Sequence, residues 1–385
     1  MNIPAKGQEE RLSGVELLKI TAILLIVLNH CIQSLTQVYP GLPSNDYVLD
    51  INSITTNPLN LLLAILRSAG CIGNDIFVAC SAWFMVGRKK NDKRKVSFLI
   101  INTFTVSVLI FAITYILGCD LDRDATLLQF FPTSNGNNWF VTCYVLLLFL
   151  YPVLNRIIET MSQRALLGTT LLLTFLYSVV NYFRPWFFVG NPFYSMDLIV
   201  WITIYFLVAY MKLYLKDFSK NIRANIIMCI IGLLGQGLMI TGLNLAGLKI
   251  DLLQGKLMYF NYGGSPFIIM LAMGSLNIAL SLKFRSRFIN YISGLSLLIY
   301  IIHENFIIRN VYRPWIFYFI HERFGYDYIL LWLLAVTAAI FIAAVLLAAL
   351  YNISLERLVR RFSDRLYLWG SKLYHKLADA LLKLH

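Results

Sequence analysis

Charge is scarce in this chain. Only 14% of its 385 residues are Asp, Glu, Lys or Arg, against 58% that are hydrophobic. A soluble protein of this length has no way to hide so much apolar surface. Metal and redox patterns are lacking as well. The six cysteines, at 31, 71, 80, 119, 143 and 229, form no CxxC pair, which argues against a disulfide framework or a thiolate metal site. The five histidines form no HxxxH or HExxH pattern, so no metal is expected. No glycine loop of the phosphate-cradling kind, no long Pro/Gly/Ser linker and no internal repeat is present. The first residues alternate in charge, and no small-residue cleavage site follows the first apolar run, so a cleavable signal peptide is not expected.

What fills the chain instead is a series of apolar runs, each near the roughly 20 residues that cross a bilayer. Ten candidate spans lie near 15–37, 59–86, 96–117, 139–154, 165–183, 197–215, 225–244, 265–282, 291–308 and 328–350. The fourth is short and expected to extend. The fold class is therefore all-α, a polytopic integral membrane helix bundle of about ten helices over 1–350. A basic amphipathic tail follows over 351–385, with Leu373, Leu377, Leu381 and Leu382 at helical spacing, as for a helix lying on the membrane surface.

The net charge of +13 raises the question of a nucleic-acid partner, and its distribution answers no. Lys and Arg fall in alternate connections: six in 88–95, four in 212–223, three in 283–287 and seven in the tail, but none in 38–58. Arg123 alone stands among Asp120, Asp122 and Asp124. This is the positive-inside pattern. It places both termini in the cytoplasm, as an even number of spans requires, and gives the basic loops anionic membrane lipid as a partner.

Charged and titratable residues inside spans mark function by default, and three stretches carry them. In KITAILLIVLNH, eleven helical steps of about 100° bring His30 back to within roughly 20° of Lys19. Glu16, Ser34 and Gln37 lie near the same line. Lys19 is close enough to the cytoplasmic end to snorkel. His30 lies past the middle of the bilayer and cannot, leaving a proton-handling role or a structural hydrogen bond across helices. In the second stretch, Leu66 to Lys90, Arg67, Asn74 and Ser81 fall seven apart on one helix face. Arg67 needs an anion there, either Asp75 or a bound phosphate or carboxylate; Ser81 serves equally as a packing group. In the third, SGLSLLIYIIHENFIIRN, Tyr300, His303 and Glu304 form a polar node, with Asn305 and Arg309 following. Neighbours on a helix do not face one way, so His303 and Glu304 should serve two contacts and not one metal. A weaker signal is SNGNNWFVTCY, where Asn138 and Trp139 either bind sugar hydroxyls or form an ordinary interface belt.

Four blocks in order resemble the acyltransferase-3 family of integral membrane acyltransferases. Lys19 to His30 matches its basic-residue-x10-His signature. GNDIFVACSAWFMVGRKK resembles its aromatic–serine block running into a basic loop, with Ser81 at the family serine and Ala82 where glycine is usual. NNWFVTCYVLLLFLYPVLN resembles its "WF…P" block, and SLLIYIIHENFIIR its late "YLIH" block. Gly70 stands where some relatives carry a second arginine. The resemblance covers roughly 11–350. It implies an O-acyltransferase of the cell membrane, moving an acyl group, usually acetyl, from cytoplasmic acyl-CoA to a hydroxyl of a surface glycan such as exopolysaccharide. His30 would be catalytic, Lys19 and Arg67 would hold the donor, and Asn74, Asp75, Ser81, Asn138, Trp139, Tyr300, His303 and Glu304 would line the site. Acetyl-CoA is then a substrate, with no permanent cofactor. Oligomeric state is left open. The alternatives are a transporter of a small polar or anionic solute, disfavoured by the lack of paired broken helices, and a membrane sensor of the same architecture without catalysis.

Overall fold

The computed structural model describes residues 12–382 apart from 40, 89–92, 120, 122, 134–137 and 184–196. Among the described residues the chain is predominantly helical, with no strand. Helices α1 (Ser13–Ser34), α2 (Pro58–Leu66), α3 (Ala69–Met85) and α4 (Lys93–Ile116) are followed by the short α5 (Arg123–Phe130) and then α6 (Trp139–Thr160). Next come α7 (Gln163–Thr174), a wide turn and α8 (Asn181–Phe183), then α9 (Asp197–Tyr214), α10 (Lys216–Lys220), α11 (Ile222–Gly247) and α12 (Pro266–Ser281). The last part holds α13 (Arg287–Gly294), α14 (Ser296–His303), α15 (Arg313–Phe324), α16 (Ile329–Ser354) and α17 (Glu356–Leu382).

Eight of these segments are long and apolar enough to cross a membrane, α2–α3 and α7–α8 each counting as one. The fourth span, expected to extend on both sides, extends only at its C-terminal end: its helix starts at Trp139 and runs to Thr160. The two remaining expected spans differ in kind. Pro266–Ser281 is apolar but only 16 residues long. The stretch expected at 291–308 is not one helix. It is interrupted at Leu295, stops at His303, and resumes through a wide helical turn at Ile308–Tyr312 that runs into α15. The helical path therefore continues well past the apolar run, because Arg309 and Arg313 are accommodated inside it.

The frame of the bundle is α1, α3 and α12. Two glycines of α3 let its backbone approach α1. A Cβ on Gly73 would stand 2.5 Å from the Ala22 carbonyl oxygen, and one on Gly70 would stand 2.5 Å from the Asn29 side chain. These contacts fix an antiparallel register in which residue 70 meets 29 and residue 73 meets 22–26. Gly14 does the same for α1 against α12, where an added Cβ would lie 2.2 Å from the Ala279 oxygen.

At the end with the basic loops, buried polar groups tie the helices. Asn155 of α6 donates from Nδ2 to the carbonyls of Met85 (2.9 Å) and Arg88 (3.0 Å), while its Oδ1 accepts from Tyr205 (2.6 Å) and from the Gly87 amide (3.3 Å). Lys212 donates to the Trp83 and Val86 carbonyls at 2.7 and 3.0 Å, covering the open end of α3. Glu16 accepts from Lys19 at 3.4 Å and from the Ser293 hydroxyl, joining α1 to α13.

Candidate active site

The node begins with where α14 stops. On an unbroken helix, His303 and Glu304 would diverge by about 100°. Here His303 is the last helical residue and Glu304 leaves the helix at φ −104°, ψ 9°, so both side chains turn to the same partner. That partner is His30 of α1. Its Nδ1 lies 3.0 Å from Glu304 Oε2 and 3.1 Å from His303 Nε2. The expectation of two separate contacts is thus corrected: the helix break converges them.

The hydrogen-bond pattern assigns the protons. His303 Nδ1 lies 2.9 Å from the Ile299 carbonyl oxygen, which can only accept. His303 therefore carries its proton on Nδ1 and, when neutral, presents a bare Nε2. A bare nitrogen and a carboxylate both accept, so the proton facing them belongs to His30 Nδ1. In the neutral ring the lone pair is then on the other nitrogen, Nε2. The His30 side chain retains 12% of its exposure, whereas His303 and Glu304 are buried.

Glu304 is further bound by two arginines. Arg309 Nη1 donates to Oε1 at 3.2 Å and Arg313 Nη2 donates to Oε2 at 3.1 Å. Arg313 is itself 2% exposed, and its Nε and Nη1 have no partner among the described residues. In a membrane interior, such charges persist only when paired. The sequence reading noted Arg309 outside the site and missed Arg313. The available signal was two arginines four residues apart after an acid, within a stretch that hydropathy had closed at 308.

Aromatic rings wall the node. Tyr300 is buried, with its ring 4.6 Å from Phe140, 5.5 Å from His303 and 6.4 Å from His30. Phe140 and Trp139 both meet Trp201, at 5.0 and 6.2 Å. A half-buried, oriented imidazole backed by a carboxylate, with its second nitrogen basic when the ring is neutral, is equipped to take a proton from a hydroxyl.

With this geometry in hand, comparison with protein families matches residues 12–348 to Acyl_transf_3, described as an acyltransferase domain. The chain belongs to the acyltransferase-3 family. It is a membrane acyltransferase by that membership and by its apolar helices. Comparison with curated proteins and with solved structures returned no match.

The other expected site residues of this acyltransferase fall at different depths. Lys19 and Ser81 come together in a cavity of about 200 Å³ at the basic end, lined also by Phe84, Arg88, Lys95 and Tyr144. Lys19 stands over the Phe84 ring at 4.9 Å. Arg67 does not share this cavity. It caps α2 three residues before Gly70, and so lies near the level of Asn29 and His30, about 16 Å along α1 from Lys19. It also precedes α3, so the helix face expected for Arg67, Asn74 and Ser81 is interrupted at Ser68. Asn74 is half-buried on α3. Asp75 is 1% exposed, with Oδ2 unpartnered among the described residues. Asn138 donates to the Pro132 carbonyl at 2.9 Å, and its Oδ1 is unpartnered among the described residues. The rest of the asparagine-rich run, 134–137, and the acidic positions 120 and 122 lie outside the described residues.

Proposed function

We propose that the protein moves an acyl group, acetyl in the first instance, from cytoplasmic acyl-CoA to a hydroxyl of a cell-surface or extracellular glycan, with His30 as general base. The observation that supports this reading is the contact of both Glu304 and His303 with His30 Nδ1, which leaves Nε2 as the basic nitrogen of the neutral ring. The hydroxyl proton passes to Nε2 as the sugar oxygen attacks the thioester carbonyl. The carbon–sulfur bond then breaks, and the proton is returned to the departing CoA thiolate. Glu304 stabilises the imidazolium between these events. An acyl-histidine route would use the same nitrogen as nucleophile. The developing oxyanion needs a donor, and Tyr300 is the hydroxyl whose ring packs against both histidines.

The donor side is the basic cavity. Lys19, Arg88 and Lys95 suit the phosphates of CoA, with aromatic walls for its apolar parts. Lys19 and His30 lie about 16 Å apart along one helix, a separation that an extended pantetheine arm can span. The basic loops support a cytoplasmic position for this end and for both termini, in a protein of the plasma membrane. The acceptor then enters from the opposite face.

The test is acyl-CoA-dependent transfer by purified protein, read as CoA thiol release and acylated glycan by mass spectrometry. His30→Ala should insert and fold normally, keep acyl-CoA binding, and lose at least about a hundredfold in transfer. Full transfer by that folded variant would remove the proposal. Solute movement without acyl-CoA consumption would favour the transporter.

A second reading rests on the same three side chains. His30, His303 and Glu304 each offer a ligand atom, all within 4.8 Å of one another, as a divalent cation would require. Two arginines on the same carboxylate oppose a further positive charge there. Elemental analysis of the purified protein, with transfer measured before and after chelation, separates the two readings.

A further inference from the structure

The acyltransferase reading makes no use of α17, yet this 27-residue helix is strongly one-sided. Three strips run along it. Val359 and Ser363 are buried against the start of α4, where Ser363 shares a hydrogen bond with Ser97 at 3.1 Å and Arg360 lies over the Phe98 ring at 4.0 Å. A second strip is apolar and uncovered. Leu358, Phe362, Leu366, Trp369 and Leu373 are 65, 56, 43, 66 and 43% exposed. At 100° per residue these five fall within about 80° of the helix circumference. The third strip is basic: Arg361, Arg365, Lys372 and Lys376 are all exposed and lie along one border of the apolar one.

An uncovered row of Leu, Phe and Trp bordered by cations is the surface of a helix that lies in a bilayer interface, rings and aliphatic chains inserted and cations on headgroups. Position agrees. The helix starts two residues after α16 ends and packs on the first turns of α4, so it leaves the bundle at the basic end, where span meets headgroup. The contact with α4 also limits its freedom: Ser363 and Arg360 hold one side of α17, and the apolar strip lies on an adjoining side.

We propose that α17 is an anionic-lipid binding helix, with Leu358, Phe362, Leu366, Trp369 and Leu373 inserted in the leaflet and Arg361, Arg365, Lys372 and Lys376 bound to lipid phosphates. The charges choose the lipid, because each Lys or Arg near a surface gains from anionic headgroups and nothing comparable from zwitterionic ones. The inserted strip keeps the helix flat against the bundle.

The test uses the full chain in nanodiscs and the fluorescence of Trp369, isolated as the difference between the protein and its Trp369→Phe variant. Phosphatidylglycerol brominated on its acyl chains should quench this signal at least about twofold more than brominated phosphatidylcholine at equal fraction. Replacing Arg361, Arg365, Lys372 and Lys376 with Gln should abolish the preference and leave quenching by both lipids. Equal quenching by both in the unmodified protein would overturn the anionic assignment. Absence of quenching by either would overturn insertion altogether, and cross-linking between copies through residue 369 would then assign the strip to a second copy of the chain.

Discussion

Glu304→Gln is the most informative single change, because Glu304 has two duties that can be separated. It accepts the His30 Nδ1 proton at 3.0 Å, and it neutralises Arg309 and Arg313 at 3.2 and 3.1 Å. For catalysis, a full charge pair at this distance is worth about 5 kcal/mol at an effective dielectric near 20. The two arginines repel the same imidazolium and cancel part of that. A remainder on the order of 2 kcal/mol corresponds to about thirtyfold in rate. For stability, losing the carboxylate that bridges Arg309 and the buried Arg313 should cost about 3–5 kcal/mol. A second variant keeps the duties apart. Glu304→Gln with Arg309→Gln returns the local charge to its original value and should recover much of the melting temperature. It should not recover the rate, because the anionic partner of His30 is still missing. The assay is CoA thiol release in nanodiscs at saturating acetyl-CoA, beside a thermal melt of each variant. Full transfer by the double variant would show that Glu304 serves the arginines alone, and the assignment of a His30–Glu304 pair would be wrong.

Lys19→Ala should raise the acyl-CoA KM about tenfold with kcat changed little, while Lys19→Arg stays close to the parent; steady-state kinetics over acyl-CoA concentration decide. Asn155→Ala removes four hydrogen bonds at the α3–α6–α9 junction and should cost about 3 kcal/mol, seen as a lower melting temperature with loss of donor affinity as the Arg88 turn loosens. Gly73→Leu sets a side chain into the Ala22 carbonyl and should lower the yield of folded protein, since about 1–3 kcal/mol of overpacking falls on the contact that fixes α1. Single cysteines at 46 and 219, in a background without native cysteines, should react with an impermeant reagent from outside only at 46; labelling at 219 would reverse the topology.

How far the site was legible follows from how each residue announces itself. His30 was visible because a histidine past the middle of an apolar run has no route to water, and because its spacing from Lys19 is helical. The Tyr300–His303–Glu304 node was visible for the same reason. Its convergence on His30 was not, since periodicity assumes an intact helix and α14 ends inside the node. Arg313 was hidden by the hydropathy that finds spans. A buried arginine lowers the local average, so the window closes before it and assigns it to a loop. Depth was legible only in part. Helical rise placed Lys19 and His30, but the level of Arg67 depends on the Gly70–Asn29 contact between helices distant in sequence. The bundle class needed composition alone, whereas helix partners needed those glycine contacts.

The double hold on His30 Nδ1 has one more consequence. Any imidazole set deep in a bilayer between two aqueous compartments is a potential leak, because a ring that flips can collect a proton on one side and discharge it on the other. Here a carboxylate and a second imidazole grip the same nitrogen, so a flip would break both bonds at once. Acyl transfer from a thioester to a hydroxyl is itself proton-neutral, since the proton gained from one substrate leaves with the other. On the proposed reading, with His30 as general base between two compartments, the clamp would let acid–base chemistry proceed without short-circuiting the membrane.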